Sequence, residues 1–171
     1  MNIHLINPDG TGEVRLTAGM GPIWSPDGRK IVYFSQDEGG LYVMNADGTS
    51  KTKAFIRGTM QNWYEWYRWS PDGKKIAIAV DLAGEEGGGL YVVNVDGSNL
   101  VRIVTSAAKA AVFSPDGRRI TYLARNGSLF DLYVMNSDGT GKTKLVDMIR
   151  IGYSPHQGLA WSPDGKKIAY G

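Results

Sequence analysis

The side chains able to carry chemistry in this sequence fall into four groups. His4 and His156 are its imidazoles, and a hydrolase would need one of them beside a nucleophile and an orienting group. His4 occupies a repeated position otherwise held by Tyr42, Tyr91 and Tyr133, which marks it as a packing residue, whereas His156 lies in the freer loop GYSPHQG. No Gly-x-Ser-x-Gly elbow occurs, so an α/β-hydrolase is excluded and no catalytic residue is assigned.

Oxygen-rich turns form the second group. Asn45, Asp47 and Gly48 recur as Asn94, Asp96 and Gly97 and as Asn136, Asp138 and Gly139. They lack the further carboxylates and closing glutamate of a calcium loop, so they read as turns, and neither a metal nor another cofactor is expected. The third group is a set of basic pairs, Arg29–Lys30, Lys74–Lys75, Arg118–Arg119 and Lys166–Lys167. Asp27, Asp72, Asp116 and Asp164 share those turns, and Asp9, Asp47, Asp96 and Asp138 share the expected face. Balanced charge without interleaved aromatics excludes a nucleic-acid surface.

The fourth group is the run IRGTMQNWYEWYRW from Ile56 to Trp69, which gathers Trp63, Tyr64, Trp66 and Tyr67. Tyr67 and Trp69 lie on one side of the strand expected there and read as packing; Trp63 and Tyr64 precede it and suit either loop packing or binding. Arg68 replaces the apolar residues Ile23, Val112 and Ala160 of the other repeats. A guanidinium among apolar side chains must find a partner, either Glu65, Glu85 or Glu86 or the carboxylate or carbonyl of a ligand. The expected binding set is Trp63, Tyr64, Trp66, Arg68, Glu86, Arg125, Tyr153 and His156, because tryptophan, tyrosine and arginine anchor binding surfaces.

What positions these groups is a repeat. WSPDGRK at Trp24 returns as WSPDGKK at Trp69, FSPDGRR at Phe113 and WSPDGKK at Trp161, at intervals of 45, 44 and 48 residues. A second motif keeps step: LYVMNADGT from Leu41, LYVVNVDGS from Leu90, LYVMNSDGT from Leu132 and IHLINPDGT from Ile3. A period near ~45 residues with turn punctuation signals a propeller blade of four strands. Ser-Pro-Asp-Gly joins strand A to strand B; KIVYF, KIAIAV, RITYLA and KIAY are strand B; LYVxN is strand C; the Asp-Gly turn leads to strand D. The variable B–C segments SQDEGG, DLAGEEGGG and ARNGSLFD and the D–A connections occupy the opposite, function-bearing face.

Residues 1–17 supply only strands C and D, and 158–171 only A and B, so the expected fold is all-β: one four-bladed propeller over 1–171. Its blades are 21–56, 65–104, 109–147 and a composite of 158–171 with 1–17, closed by sheet bonds between the two ends and therefore monomeric. Hydrophobic content of 42%, charged content of 21% and a net charge of +2 are ordinary for a globular chain. No apolar run approaches the ~20 residues of a membrane-spanning helix. Met1 leads straight into NIHLINPDG, so no secretory signal is read, and the absence of cysteine suits either redox compartment.

The paired motifs [WF]SPDG[KR][KR]I and LYVxNxDG[TS] resemble the repeats of TolB-like β-propellers, a WD40-like, PD-type repeat family. The resemblance covers nearly the whole chain and implies a non-catalytic scaffold that recognises a peptide or protein partner through the loop face around the central channel. It also implies a periplasmic or exported setting. The family includes peptidase gates and sugar-active enzymes, so a saccharide-binding or sugar-active propeller is the alternative, and an excised, reduced or engineered propeller without a ligand is a third. Family members usually have six or more blades, against four copies here.

Overall fold

The computed structural model describes residues 1–35, 37–56, 65–81, 88–150 and 158–171. Among them are sixteen strands and no helix: β1 Asn2–Leu5, β2 Val14–Ala18, β3 Met20–Trp24, β4 Lys30–Ser35, β5 Gly40–Asn45, β6 Thr52–Ile56, β7 Glu65–Trp69, β8 Lys75–Val80, β9 Gly89–Asn94, β10 Val101–Val104, β11 Ala108–Phe113, β12 Arg119–Asn126, β13 Leu129–Asn136, β14 Thr143–Ile149, β15 Leu159–Trp161 and β16 Ile168–Tyr170. Three four-stranded antiparallel sheets form, β3–β6, β7–β10 and β11–β14, each in chain order. The remaining strands make two separate two-stranded sheets, β1–β2 and β15–β16. The chain divides into two compact units, Met1–Asn62 with Asn94–Ser98, and Trp63–Val93 with Asn99–Gly171.

The turns hold themselves together. In the first SPDG motif the Ser25 hydroxyl accepts the Lys30 N–H at 2.9 Å and donates to Asp27 at 2.6 Å. Asp27 Oδ1 also accepts the Arg29 N–H at 3.1 Å. Ser70, Ser114 and Ser162 repeat the arrangement. In the C–D turns Asp47 accepts both the hydroxyl and the N–H of Thr49, and Asn45 donates to that same hydroxyl. These bonds hold the turn aspartates below the usual carboxylate range, with the serine or threonine hydroxyl the largest cause. The same bonds engage Oδ1 of each of these aspartates, and among the described residues no group of three or more His, Cys, Asp or Glu gathers.

Glycine in the C–D turns has a second task. Gly48 has φ +85°, a left-handed conformation that suits glycine, and a Cβ there would come within 3.2 Å of Leu16 on β2. Gly139 stands in the same relation to Ile103 on β10, at 3.0 Å. These two turns therefore seat against the outermost strand of the preceding sheet.

Buried side chains of strands B and C form the cores. Ile31, Tyr33, Leu41 and Met44 are buried in the first sheet, and Ile120, Tyr122, Leu132 and Met135 in the third. One repeat difference leaves a mark here. Thr17 stands beside Tyr33 in the first sheet, its repeat position is Val104 ahead of the third sheet, and among the described residues the buried Tyr122 hydroxyl has no hydrogen-bond partner. An orphaned buried hydroxyl is costly, so Tyr122→Phe should raise stability by about 1 kcal/mol. Val104→Thr should act in the same direction by supplying a partner. Urea denaturation midpoints check both.

Two expectations are corrected. ARNGSLFD is not a loop: β12 and β13 run on to Asn126 and from Leu129, paired as Arg125↔Phe130 and Asn126↔Leu129 around Gly127 at φ 59°. The two turn residues are Gly127 and Ser128, and glycine in the first turn position suits a tight hairpin that extends the sheet. His4 is exposed rather than packed, its Nδ1 2.9 Å from a Glu13 carboxylate oxygen.

Candidate functional site

β7 departs from its counterparts at the backbone. β3 and β11 each carry an irregularity, with Gly21 at φ 61° and Ala110 at φ 51° in equivalent positions. The β7 residue in that position is Trp66, a bulky side chain for which the left-handed conformation is unfavourable. β7 instead pairs with β8 without a break, from Glu65↔Val80 to Trp69↔Ile76. Strict alternation then puts Tyr67 and Trp69 on the buried side, as the sequence reading expects, and Trp66 and Arg68 together on the other.

Trp66 and Arg68 line a cleft of about 190 Å³, open to solvent, completed by Ala110, Ala111 and Val112 of β11 and Leu159 of β15. Arg68 Nη1 donates to the Tyr67 carbonyl at 2.9 Å, and the guanidinium lies 5.9 Å from the Trp66 ring centroid. Among the described residues no carboxylate pairs with it. The side chains of Glu65, Glu85 and Glu86 lie outside the described set.

Arg125 lies at the loop-side end of β12. Its Nε donates to Asp81 Oδ1 at 2.7 Å and a second guanidinium nitrogen reaches Oδ2, while Lys109 Nζ lies 3.2 Å from Oδ2. The Asp81 side chain is only 5% exposed, and both cations rest on Phe130, with ring centroids at 4.8 Å from Arg125 and 5.1 Å from Lys109. Fork-to-fork pairing on a buried carboxylate fixes Arg125 as a brace between β8 and β12. Trp63, Tyr64, Glu86, Tyr153 and His156 lie outside the described residues.

Sequence reading does not anticipate Ala110, Ala111, Val112 and Leu159 as cleft walls, because small apolar residues carry no chemical signature. The Asp81–Arg125 brace does have one: the two are 44 residues apart, one repeat, with opposite charges at one repeat position.

Comparison with known proteins places this geometry. The chain is similar to an uncharacterized protein of Agrobacterium fabrum, 29% identical over 151 residues that cover 87% of this chain and 49% of the relative. Among solved structures it is similar to TolB from Acinetobacter baumannii, at 18% identity and TM-score 0.69, over 98% of this chain and 42% of that one. It is equally similar to an oligogalacturonate lyase in complex with manganese, at 16% identity and TM-score 0.70, over 96% and 49%. The structural likenesses carry the fold alone, and the chain spans about half the length of these proteins. A family model described as the TolB β-propeller domain matches residues 20–171, and the chain belongs to that family.

Proposed function

We propose that this chain is a non-catalytic binding domain that takes a peptide segment or protein loop into the Trp66–Arg68 cleft, on the exported or periplasmic side of a membrane. The observation that carries the reading is Arg68, an arginine without a carboxylate partner among the described residues, on a cleft wall otherwise apolar. The cleft is shallow and open to solvent, so it offers a partner a contact face beside a guanidinium. The saccharide alternative is weaker, because the Trp66 ring a sugar would stack on already packs against the core and has Arg68 beside it. Trp63, Tyr64, Glu86, Tyr153 and His156 would extend the surface around the cleft, with Arg125 bracing it. Tryptophan fluorescence titration with peptide and oligosaccharide panels tests the reading; a response to oligosaccharides alone, or to neither panel, would sink it.

We propose also that the 171-residue chain closes as a four-bladed ring, with β16 pairing to β1. Support comes from exposure. Ile6 is 58% exposed and Tyr170 48%, while their repeat equivalents Met44 and Tyr33 are 0% and 1% exposed. The B–C register of the first sheet, Val32↔Val43 and Tyr33↔Tyr42, transfers to Ala169↔Leu5 and Tyr170↔His4. Since the chain has no cysteine, a Leu5→Cys/Ala169→Cys variant should oxidise to a crosslinked monomer; crosslinked dimers in its place would refute closure within one chain.

A further inference from the structure

We infer that the group the cleft takes from its partner is a carboxylate, presented by an acidic side chain or a chain terminus; this rests on the peptide-binding reading above. Arg68 sits at a repeat position where Ile23, Val112 and Ala160 stand in the other repeats, so the fold does not require a cation there. A guanidinium has five N–H donors, and the described contacts occupy it with one backbone carbonyl and a position over one ring. The fork therefore retains the parallel pair of donors that matches a carboxylate, and a cation held against apolar walls gains most from an anion.

The surroundings reinforce the choice. The side chains of Ala110, Ala111, Val112 and Leu159 are hydrocarbon, which suits the aliphatic stem of a glutamate or the penultimate side chain of a C-terminus. Asp81, the buried carboxylate of this unit nearest in sequence to Arg68, is already held by Arg125 and Lys109.

The test is a fluorescence titration of the folded chain with four probes. Two are capped pentapeptides, Gly-Leu-Glu-Leu-Gly and its glutamine counterpart, and two are Gly-Leu-Gly-Leu-Gly with a free or an amidated C-terminus. At least one carboxylate probe should bind tenfold or more tightly than its neutral counterpart, weakening as salt rises, and the tighter of the two identifies the source. Arg68→Gln should abolish the difference and Arg68→Lys should keep part of it, because charge remains while the fork is lost. The comparison of acidic with neutral peptides on the unaltered chain needs no variant to fold. Equal binding of acidic and neutral probes, or a preference that survives Arg68→Gln, overturns the carboxylate inference and leaves the peptide-binding reading standing. Failure of every peptide overturns both, and an Arg68-dependent preference for trigalacturonate over all peptides assigns the carboxylate to a saccharide and overturns the peptide class.

Discussion

Replacing Asp81 by alanine should destabilise the unit that contains β7–β14 by about 3–5 kcal/mol, the usual cost of removing one partner from a buried ion pair. Asp81 is 5% exposed at its side chain, and it is the carboxylate that Arg125 and Lys109 share. Those cations are 26% and 12% exposed and both lie over Phe130. Without the carboxylate they lose the anion they share and stand as neighbouring like charges on one apolar ring, which loosens the hold on β11 and β12. The surface of Arg125 that reaches water softens the penalty, which places the expectation nearer the lower end. Exposed ion pairs contribute under about 1 kcal/mol, so the measured size discriminates a buried brace from a surface pair. Urea denaturation followed by tryptophan fluorescence gives the value, and a loss below about 1 kcal/mol would refute the brace. An Asp81→Ala/Arg125→Leu double variant should recover part of the loss, since it removes the second charge along with the first.

The effect also touches the cleft. Lys109 and Ala110 are neighbours on β11, and Ala110 holds a left-handed φ of 51° that a residue with a Cβ adopts only under constraint. Ala110 and Lys109 thus combine a local strain with a long-range clamp, and the wall facing Arg68 depends on both. Asp81→Ala should therefore weaken peptide binding even where the domain stays folded.

The parts of this molecule that were legible in its sequence are those whose chemistry is local. Ser25, Asp27 and Lys30 close their turn within five residues, and Asn45, Asp47 and Thr49 within four, so residue types and spacing are enough to place the strands on either side. The two faces of β7 were legible for the same reason, because strand alternation needs only the local period. What lay out of reach depends on partners far along the chain. Trp66 suppresses a backbone irregularity that Gly21 and Ala110 adopt, which becomes visible only when repeats are compared residue by residue in three dimensions. Arg125 read as a ligand-binding cation because nothing nearby in sequence claims it; Asp81 claims it from one repeat away. The walls of the cleft come from β11 and β15, where alanine, valine and leucine look like ordinary core.

Asp131 carries the second large expectation, and its origin lies in a repeat position that changes role. The equivalent residues Gly40 and Gly89 leave no room for a side chain: a Cβ on Gly40 would meet the Phe55 carbonyl at 2.6 Å. In the third sheet β14 moves aside, with register shifts on either side of Leu132 and Met148 at φ 57°. The Asp131 carboxylate fills the space, accepting the Met148 N–H at 3.0 Å, Asn126 Nδ2 at 3.2 and 3.3 Å, and Lys144 Nζ at 3.0 Å. Asp131→Ala should cost about 2–4 kcal/mol, since it strands a backbone donor beside an unusual φ and releases a lysine and an amide. The Met148 N–H, followed by Lys144 and Asn126, holds the Asp131 carboxyl below its usual range. A depressed carboxylate contributes stability above the unfolded-state value near ~3.9, and that contribution is lost as pH falls through the lower folded value. Lys144 is shifted upward, by Asp147 first and Asp131 second, so the lysine stays charged throughout the acid range and its pair with Asp131 is lost when the carboxyl protonates. The stability difference between the natural chain and Asp131→Asn should therefore be full at pH 7 and 5 and shrink below about pH 4. Denaturation curves for both proteins at pH 7, 5 and 3 measure it; an unchanged difference at pH 3 would mean that shape, not charge, makes Asp131 hold β14.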